Sequence, residues 1–172
     1  MKILENPKSN EYLSLKELIL GDSFLWTYGS STPGMSKEGH EDIPTYGHAF
    51  LIRPEDSWGK YPQVNCNIAD QCIGVLISIL RHNNIEPNLF LRVAANAVHP
   101  TKNNLPSVPH VDHSDISHRN ILVYLTPTYG GYVSCKGNTH CPKEDDVVLF
   151  RGEHFLQPPS EGRRVCIVGT FI

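Results

Sequence analysis

A chain of 172 residues with 40% apolar residues is long enough for one well-packed domain and far from disordered. The formal net charge of -3, with no basic run, gives no support to a nucleic-acid partner. No apolar stretch reaches the ~18 residues of a membrane span, and residues 1–8 lack the apolar core of a signal peptide. An intracellular protein is therefore expected.

Five scattered cysteines argue against a disulfide framework and fit reduced thiols. Cys135, His140 and Cys141 lie near one another in sequence, but no second Cys/His pair completes a four-ligand zinc site.

In chain order, residues 10–20 suggest a short amphipathic helix with Leu13, Leu15, Leu18 and Ile19 inward and Gly21-Asp22 as its stop. Phe24, Trp26 and Tyr28 alternate like one strand face, packed either as an outer sheet or as the aromatic wall of a cleft. Residues 29–46 are rich in Gly, Ser, Pro and charge and read as a long loop, a candidate flap over a site. Residues 46–52 read as a strand. Asn67 is placed to cap a helix over 68–82, whose stripe Ile68, Cys72, Leu76, Ile79 and Leu80 should cover a sheet. Residues 89–98 form the first clear core strand, with Arg92 and Asn96 on one face by parity.

Beyond a loop over 102–109, residues 120–126, 132–135, 146–150 and 165–171 read as further short strands separated by Gly and Pro turns. That pattern suggests a sandwich or a closed barrel. Within it lies His110-Val111-Asp112. On an extended segment, His110 and Asp112 project to the same side and can grip one ion. His154 is far enough along to return on another strand with a second imidazole. Two His and one carboxylate, with the opposite positions open, is the facial triad expected of non-heme Fe(II) oxygenases. His113 falls on the other side of the chain. His118 and His140 fall in expected loops, with His140 the rival to His154. In Gly162-Arg163-Arg164, a guanidinium opens the last apolar run and can hold a carboxylate through two parallel hydrogen bonds.

The ordered set His110-Val111-Asp112, Val123-Tyr124-Leu125-Thr126, Gly130-Gly131, Val147-Val148-Leu149-Phe150, His154 and Gly162-Arg163-Arg164 resembles the catalytic half of Fe(II)/2-oxoglutarate-dependent oxygenases, most of all their prolyl 4-hydroxylase-like branch. The resemblance implies a single domain over 1–172. Its fold would be mainly β with flanking helices, built on a double-stranded β-helix core of jelly-roll, cupin-like kind. It implies Fe(II) held by His110, Asp112 and His154, with 2-oxoglutarate, O2 and supporting ascorbate. The far carboxylate of 2-oxoglutarate would lie on Arg164, with Arg163 as the competing choice. Tyr124 fits the family position whose phenol helps bind 2-oxoglutarate, although a core tyrosine would read the same way. Thr126 and Thr170 are weaker candidates for that pocket. The implied activity is hydroxylation of a C–H bond, with peptidyl proline as the leading substrate. Tyr132, after the Gly-Gly turn, departs from the small hydroxylated residue of many relatives and would narrow or reshape the substrate entrance, which weighs against a carried-over prolyl-peptide specificity. The alternatives are the same chemistry on a small molecule or a nucleobase, a cupin-like protein that holds metal without turnover, and a zinc-stabilised β-domain.

Overall fold

The computed structural model describes residues 1–56 and 59–172. In chain order the elements are β1 (Lys2–Leu4), α1 (Asn10–Leu20), β2 (Thr27–Ser30), β3 (Pro44–Ile52), β4 (Gln63–Val64), α2 (Ala69–His82), β5 (Phe90–Val98), β6 (Arg119–Tyr124), β7 (Tyr132–Cys135), β8 (Asn138–His140), β9 (Val147–Phe150), β10 (His154–Gln157) and β11 (Arg164–Phe171). Eight strands form the larger sheet, in the order β1-β9-β6-β11-β5-β3-β2, with β4 added beside β3. The smaller sheet runs β10-β7-β8. All the paired strands are antiparallel. This is the double-stranded β-helix expected from the sequence.

The central strand β11 shows why the sheet has two different faces. Val165, Ile167 and Phe171 join the core beneath the helices, with Val93, Ala95 and Ala97 of β5 and Ile121 and Val123 of β6. Cys166 and Val168 point the other way and meet Leu122, Tyr124, Val133, Cys135, Val148 and Phe150 between the two sheets. The alternation follows from the two-residue period of a strand. Burial on both faces makes β11 read as a nearly unbroken apolar run.

Helix α2 lies on the outer face through Ala69, Cys72, Val75, Leu76, Ile79 and Leu80. Its packing depends on Gly169. A methyl group there would come within 3.0 Å of Leu76 and Ile121 and 3.1 Å of Phe90. The expected Asn67 cap does not form. Ile68 is the N-cap and makes no side-chain hydrogen bond, so packing rather than capping holds this end. Helix α1 is capped by Ser9, whose hydroxyl accepts from the Tyr12 amide. It turns Tyr12, Leu15 and Ile19 inward, while Leu13 is 47% and Leu18 40% exposed. The sequence reading had placed both leucines inside and missed Tyr12.

Two other expectations change. Only Tyr28 of the aromatic trio lies in a strand. Phe24 and Trp26 precede it and pack against the outer core, with ring centroids 4.9 Å apart. His140 belongs to β8, and His118 sits in a loop but is buried, not exposed.

Tyr12 also joins α1 to the β8–β9 turn. Its hydroxyl donates to Asp145 Oδ1 at 2.5 Å, and Lys16 and Lys8 pair with the same carboxylate. Burial alone would raise the Asp145 pKa. The bonds from Lys16, Tyr12 and Lys8 outweigh that effect and hold it at about 2.

Two outcomes are expected in denaturant unfolding. Gly169→Ala should cost about 1–3 kcal/mol, because three buried neighbours must move together; an unchanged midpoint would refute the close packing of α2. Asp145 is depressed below its unfolded pKa of ~3.9, so its contribution is complete above that value and disappears as pH falls towards 2. Asp145→Asn should therefore lower stability at pH 7 by on the order of 1–2 kcal/mol and flatten the acid limb between about pH 4 and 2.

Candidate metal centre and anion pocket

His110 and Asp112 lie on the segment that delivers the chain to the mouth of the barrel, and His154 opens β10. An antiparallel backbone pair fixes the two histidines side by side. The His110 amide donates to the His154 carbonyl at 2.9 Å, and the His154 amide returns the bond at 3.0 Å. Their ring centroids are 4.6 Å apart. Each Nδ1 donates to a backbone carbonyl, His110 to Val108 at 2.9 Å and His154 to Gly152 at 3.2 Å. That leaves Nε2 of each ring as the nitrogen with a free lone pair.

Asp112 completes the group. Its side chain is 6% exposed, with Oδ2 at 3.6 Å from His154 Nε2 and without a hydrogen-bond partner. The donor atoms of His110, Asp112 and His154 lie within 4.8 Å of one another, the only such cluster among the described residues. Burial by itself would raise the Asp112 pKa, but His154, Arg92, His110 and Arg53 together hold it below the usual carboxylate value. Burial keeps His154 below the usual imidazole value. A carboxylate and a neutral imidazole are the protonation states a metal requires. The three donors could therefore hold a divalent ion, and the buried, unpartnered Oδ2 is the atom left for it.

These residues border a cleft of about 410 Å3 between the two sheets. At its far end Arg164 is 3% exposed, its Nε is buried without a hydrogen bond, and no carboxylate pairs with it among the described residues. Tyr124 and Cys166 stand beside it in register. Burial pushes both the Tyr124 phenol and the Cys166 thiol up, so both are neutral at pH 7. A buried guanidinium with no anion of its own is a site for an incoming one. Arg163 lies outside the cleft, where its carbonyl accepts from Thr126.

The remaining candidates divide. Arg92 and Asn96 both line the cleft. Thr126 is taken up by bonds to Arg163 and Val165, and Thr170 bonds His113 Nε2 at 2.8 Å; neither borders the cleft. His113 is buried, with Nδ1 donating to Glu55. Tyr132 packs against Phe155 and does not line the cleft, whereas its neighbour Val133 does. The 31–43 loop covers the mouth through Ser31, Thr32, Pro33 and Met35. Sequence reading did not assign Arg53, whose Nη1 donates to the Asp112 carbonyl at 2.8 Å. It stands just past β3 with nothing in the linear pattern to single it out.

No family model matches the chain. A curated protein, the tRNA uridine 5-carboxymethylaminomethyl modification enzyme MnmG of Prochlorococcus marinus, is 35% identical over 66 residues. That stretch is 33% of this chain and 10% of that protein, so the chain spans about a tenth of its length. Among solved structures, a 2OG-Fe(II) oxygenase family oxidoreductase of Burkholderia pseudomallei superposes with TM-score 0.69 at 12% identity, over 95% of this chain and 79% of that one. A prolyl hydroxylase of Trichoplax adhaerens, in complex with a hypoxia inducible factor peptide fragment, gives 0.60 at 15% identity, over 99% and 82%. The α-ketoglutarate-dependent epimerase SnoN of nogalamycin biosynthesis gives 0.58 at 10% identity, over 99% and 76%.

The unpartnered guanidinium yields a stability prediction. With metal and ligands removed, Arg164→Met should unfold at a higher denaturant concentration than wild type, by on the order of 1 kcal/mol. A loss of stability would mean that Arg164 is a satisfied structural group. The chain has the fold of the 2OG-Fe(II) oxygenases, prolyl hydroxylases among them.

Proposed function

We propose that this protein is an Fe(II)- and 2-oxoglutarate-dependent oxygenase that hydroxylates a C–H bond. The observation that carries the reading is the pairing of a ligand-ready His110/Asp112/His154 cluster with a buried, anion-free Arg164 in one cleft. A protein that only stored metal would have no need of the second feature. The fold likeness to 2OG-Fe(II) oxygenases supports it.

On this reading His110, Asp112 and His154 hold Fe(II), and Arg164 holds the far carboxylate of 2-oxoglutarate. When bound, the metal and cosubstrate supply the oxidising chemistry, consuming O2 and releasing succinate and CO2. The chain's own groups orient and protect. Arg164 pays for a buried carboxylate by two parallel hydrogen bonds. The neutral Tyr124 phenol donates a further bond to that group. Leu122, Val133, Leu156 and Val168 keep water from the centre. Arg92 Nη1, at 3.3 Å from Asp112 Oδ1, holds the carboxylate so that Oδ2 faces the histidines. The motif resemblance and the Trichoplax neighbour support a peptidyl side chain, proline first, as substrate. The charge of the cleft itself supports a small molecule. Ascorbate would serve to keep the iron reduced. No helix among the described residues is long and apolar enough to cross a membrane.

Succinate formation from 2-oxoglutarate in air, with Fe(II) and ascorbate, tests the proposal without a known substrate. Wild type should form succinate, and His154→Ala should form none. Arg164→Ala should lose affinity for 2-oxoglutarate by about tenfold or more and recover partly at high 2-oxoglutarate, from the loss of charge-assisted hydrogen bonds. Tightly held metal without succinate, together with no stabilisation of the protein by 2-oxoglutarate, would replace the oxygenase by a metal-binding protein of the same fold.

A further inference from the structure

The cleft has a second arm, of about 380 Å3, that shares Ser30, Thr45, Arg53, Asp56, Arg92 and Asn96 with the first. Its floor is Gly29, Gly47, Ala49 and Ala94, so little side-chain bulk intrudes on it. A methyl group on Gly47 would meet only Asn96 Oδ1 at 3.7 Å and the Ala95 carbonyl at 3.9 Å. The charge sits at the inner end, where the arms join. Arg92 reaches Asp112 Oδ1 at 3.3 Å, and Arg53 lies 3.1 Å from Asp56 and donates to the Asp112 carbonyl.

Arg92 is thus a second cation in a cleft that already has Arg164. Arg164 pairs with Val98 at one end of the β5–β11 ladder, and Arg92 with Thr170 at the other. Six residues of strand separate those rungs, about 20 Å at ~3.3 Å per residue. On the oxygenase reading, 2-oxoglutarate would run from Arg164 to the ion, so its two negative charges would offset the ion's two positive ones. Among the described residues, the only carboxylate paired with Arg92 is Asp112, the candidate metal ligand. Of the charged side chains lining the cleft, Arg53, Arg92 and Arg164 then outnumber Asp56 and Asp112 by one, and the remaining positive charge favours a further anion. The Asn96 side chain borders both arms at this point, with its Oδ1 beside Gly47.

We infer that the substrate is a small carboxylic acid seated on the Gly29/Gly47/Ala94 floor, with its carboxylate held by Arg92 and the amide of Asn96, and with Arg53 adding charge. This inference rests on the oxygenase reading and deepens it. The arm's volume is near the lower end for small-molecule sites. Because Arg92 touches Asp112 itself, the carboxylate binds close to the metal ligands, so the oxidised carbon lies within a few bonds of the carboxylate. A main-chain carbonyl within a peptide offers no such anion. An amino group on the same acid would face Asp56, which borders both arms.

The test is equilibrium binding by calorimetry to protein loaded with Zn(II) and 2-oxoglutarate, which permits no turnover. The probes are propionate, lactate, alanine, valine, leucine, proline and glutamate, the primary amide of each, and a proline-containing peptide blocked at both ends. At least one acid should bind wild type about tenfold or more tightly than its own amide, the size expected for charge-assisted hydrogen bonds. In Arg92→Gln that acid-to-amide ratio should fall to about one, and in Asn96→Ala, which leaves every group assigned to the metal and 2-oxoglutarate in place, it should fall while 2-oxoglutarate still binds. Acids and amides binding alike, binding of the blocked peptide alone, or a ratio that survives Arg92→Gln would each overturn the inference while leaving the oxygenase in place. Failure of 2-oxoglutarate itself to bind the Zn(II) form, with no succinate from the Fe(II) form, would remove the oxygenase reading and this inference with it.

Discussion

The candidate centre depends on one backbone pair. His110 and His154 exchange two main-chain hydrogen bonds and so lock the loop before Asp112 to the first residue of β10. Neither imidazole has to find the other through a flexible side chain. The ladder supplies the approach, and the bonds to the Val108 and Gly152 carbonyls set the rings. Preorganisation of this kind matters for a cluster that must gather a carboxylate and two nitrogens around one small volume. Because β10 is also held to β7, a disturbance of the smaller sheet would be felt at the metal ligands.

The two faces of the larger sheet divide the work. The outer face is apolar almost throughout and carries both helices, so most of the hydrophobic stabilisation lies there. The inner face accepts polar groups that a core would normally reject: Arg92 and Asn96 on β5, Tyr124 on β6, and Arg164 at the head of β11. Each burdens the empty fold, and Arg164 most, since its guanidinium is buried without a counterion among the described residues. Such local conflict between folding and composition marks a site rather than a packing solution.

The loop over 31–43 is held at its base and open at its tip. Asp42 accepts from the Thr32 amide and hydroxyl. Glu41 accepts from the Leu105 amide and, through Thr101, is tied to the 101–107 loop. The cleft is therefore covered by a segment whose ends are fixed to the barrel, with Pro33 and Met35 over the mouth.

Much of this was legible in the linear chain. Near-continuous apolar runs announced β5, β6 and β11, and the stripe on 68–82 announced α2, because those segments are long and strongly patterned. The His-x-Asp spacing and the later His154 were also visible, whereas the choice between Arg164 and Arg163 stayed open in the linear chain, and only the fold shows that Arg164 alone of the two lines the cleft. Short strands such as β1, β4, β8 and β10 were not visible, since two to four residues carry too little pattern and are fixed by their partners. Tyr12 was missed because Leu13 and Leu18 were counted as the apolar face, although Tyr12, Leu15 and Ile19 are the i, i+3, i+7 stripe that is buried, with the Tyr12 hydroxyl satisfied by the remote Asp145. The sequence by itself determined a strand-rich sandwich or closed barrel, which only the family resemblance sharpened to a double-stranded β-helix, and the residue types able to bind a metal, because strand pattern and motif spacing are local. Only the tertiary structure decided that Arg92 and Arg53 meet at Asp112, that Tyr132 stays outside the cleft, and that Arg164 has no anion of its own, because each depends on strands far apart in the chain coming together.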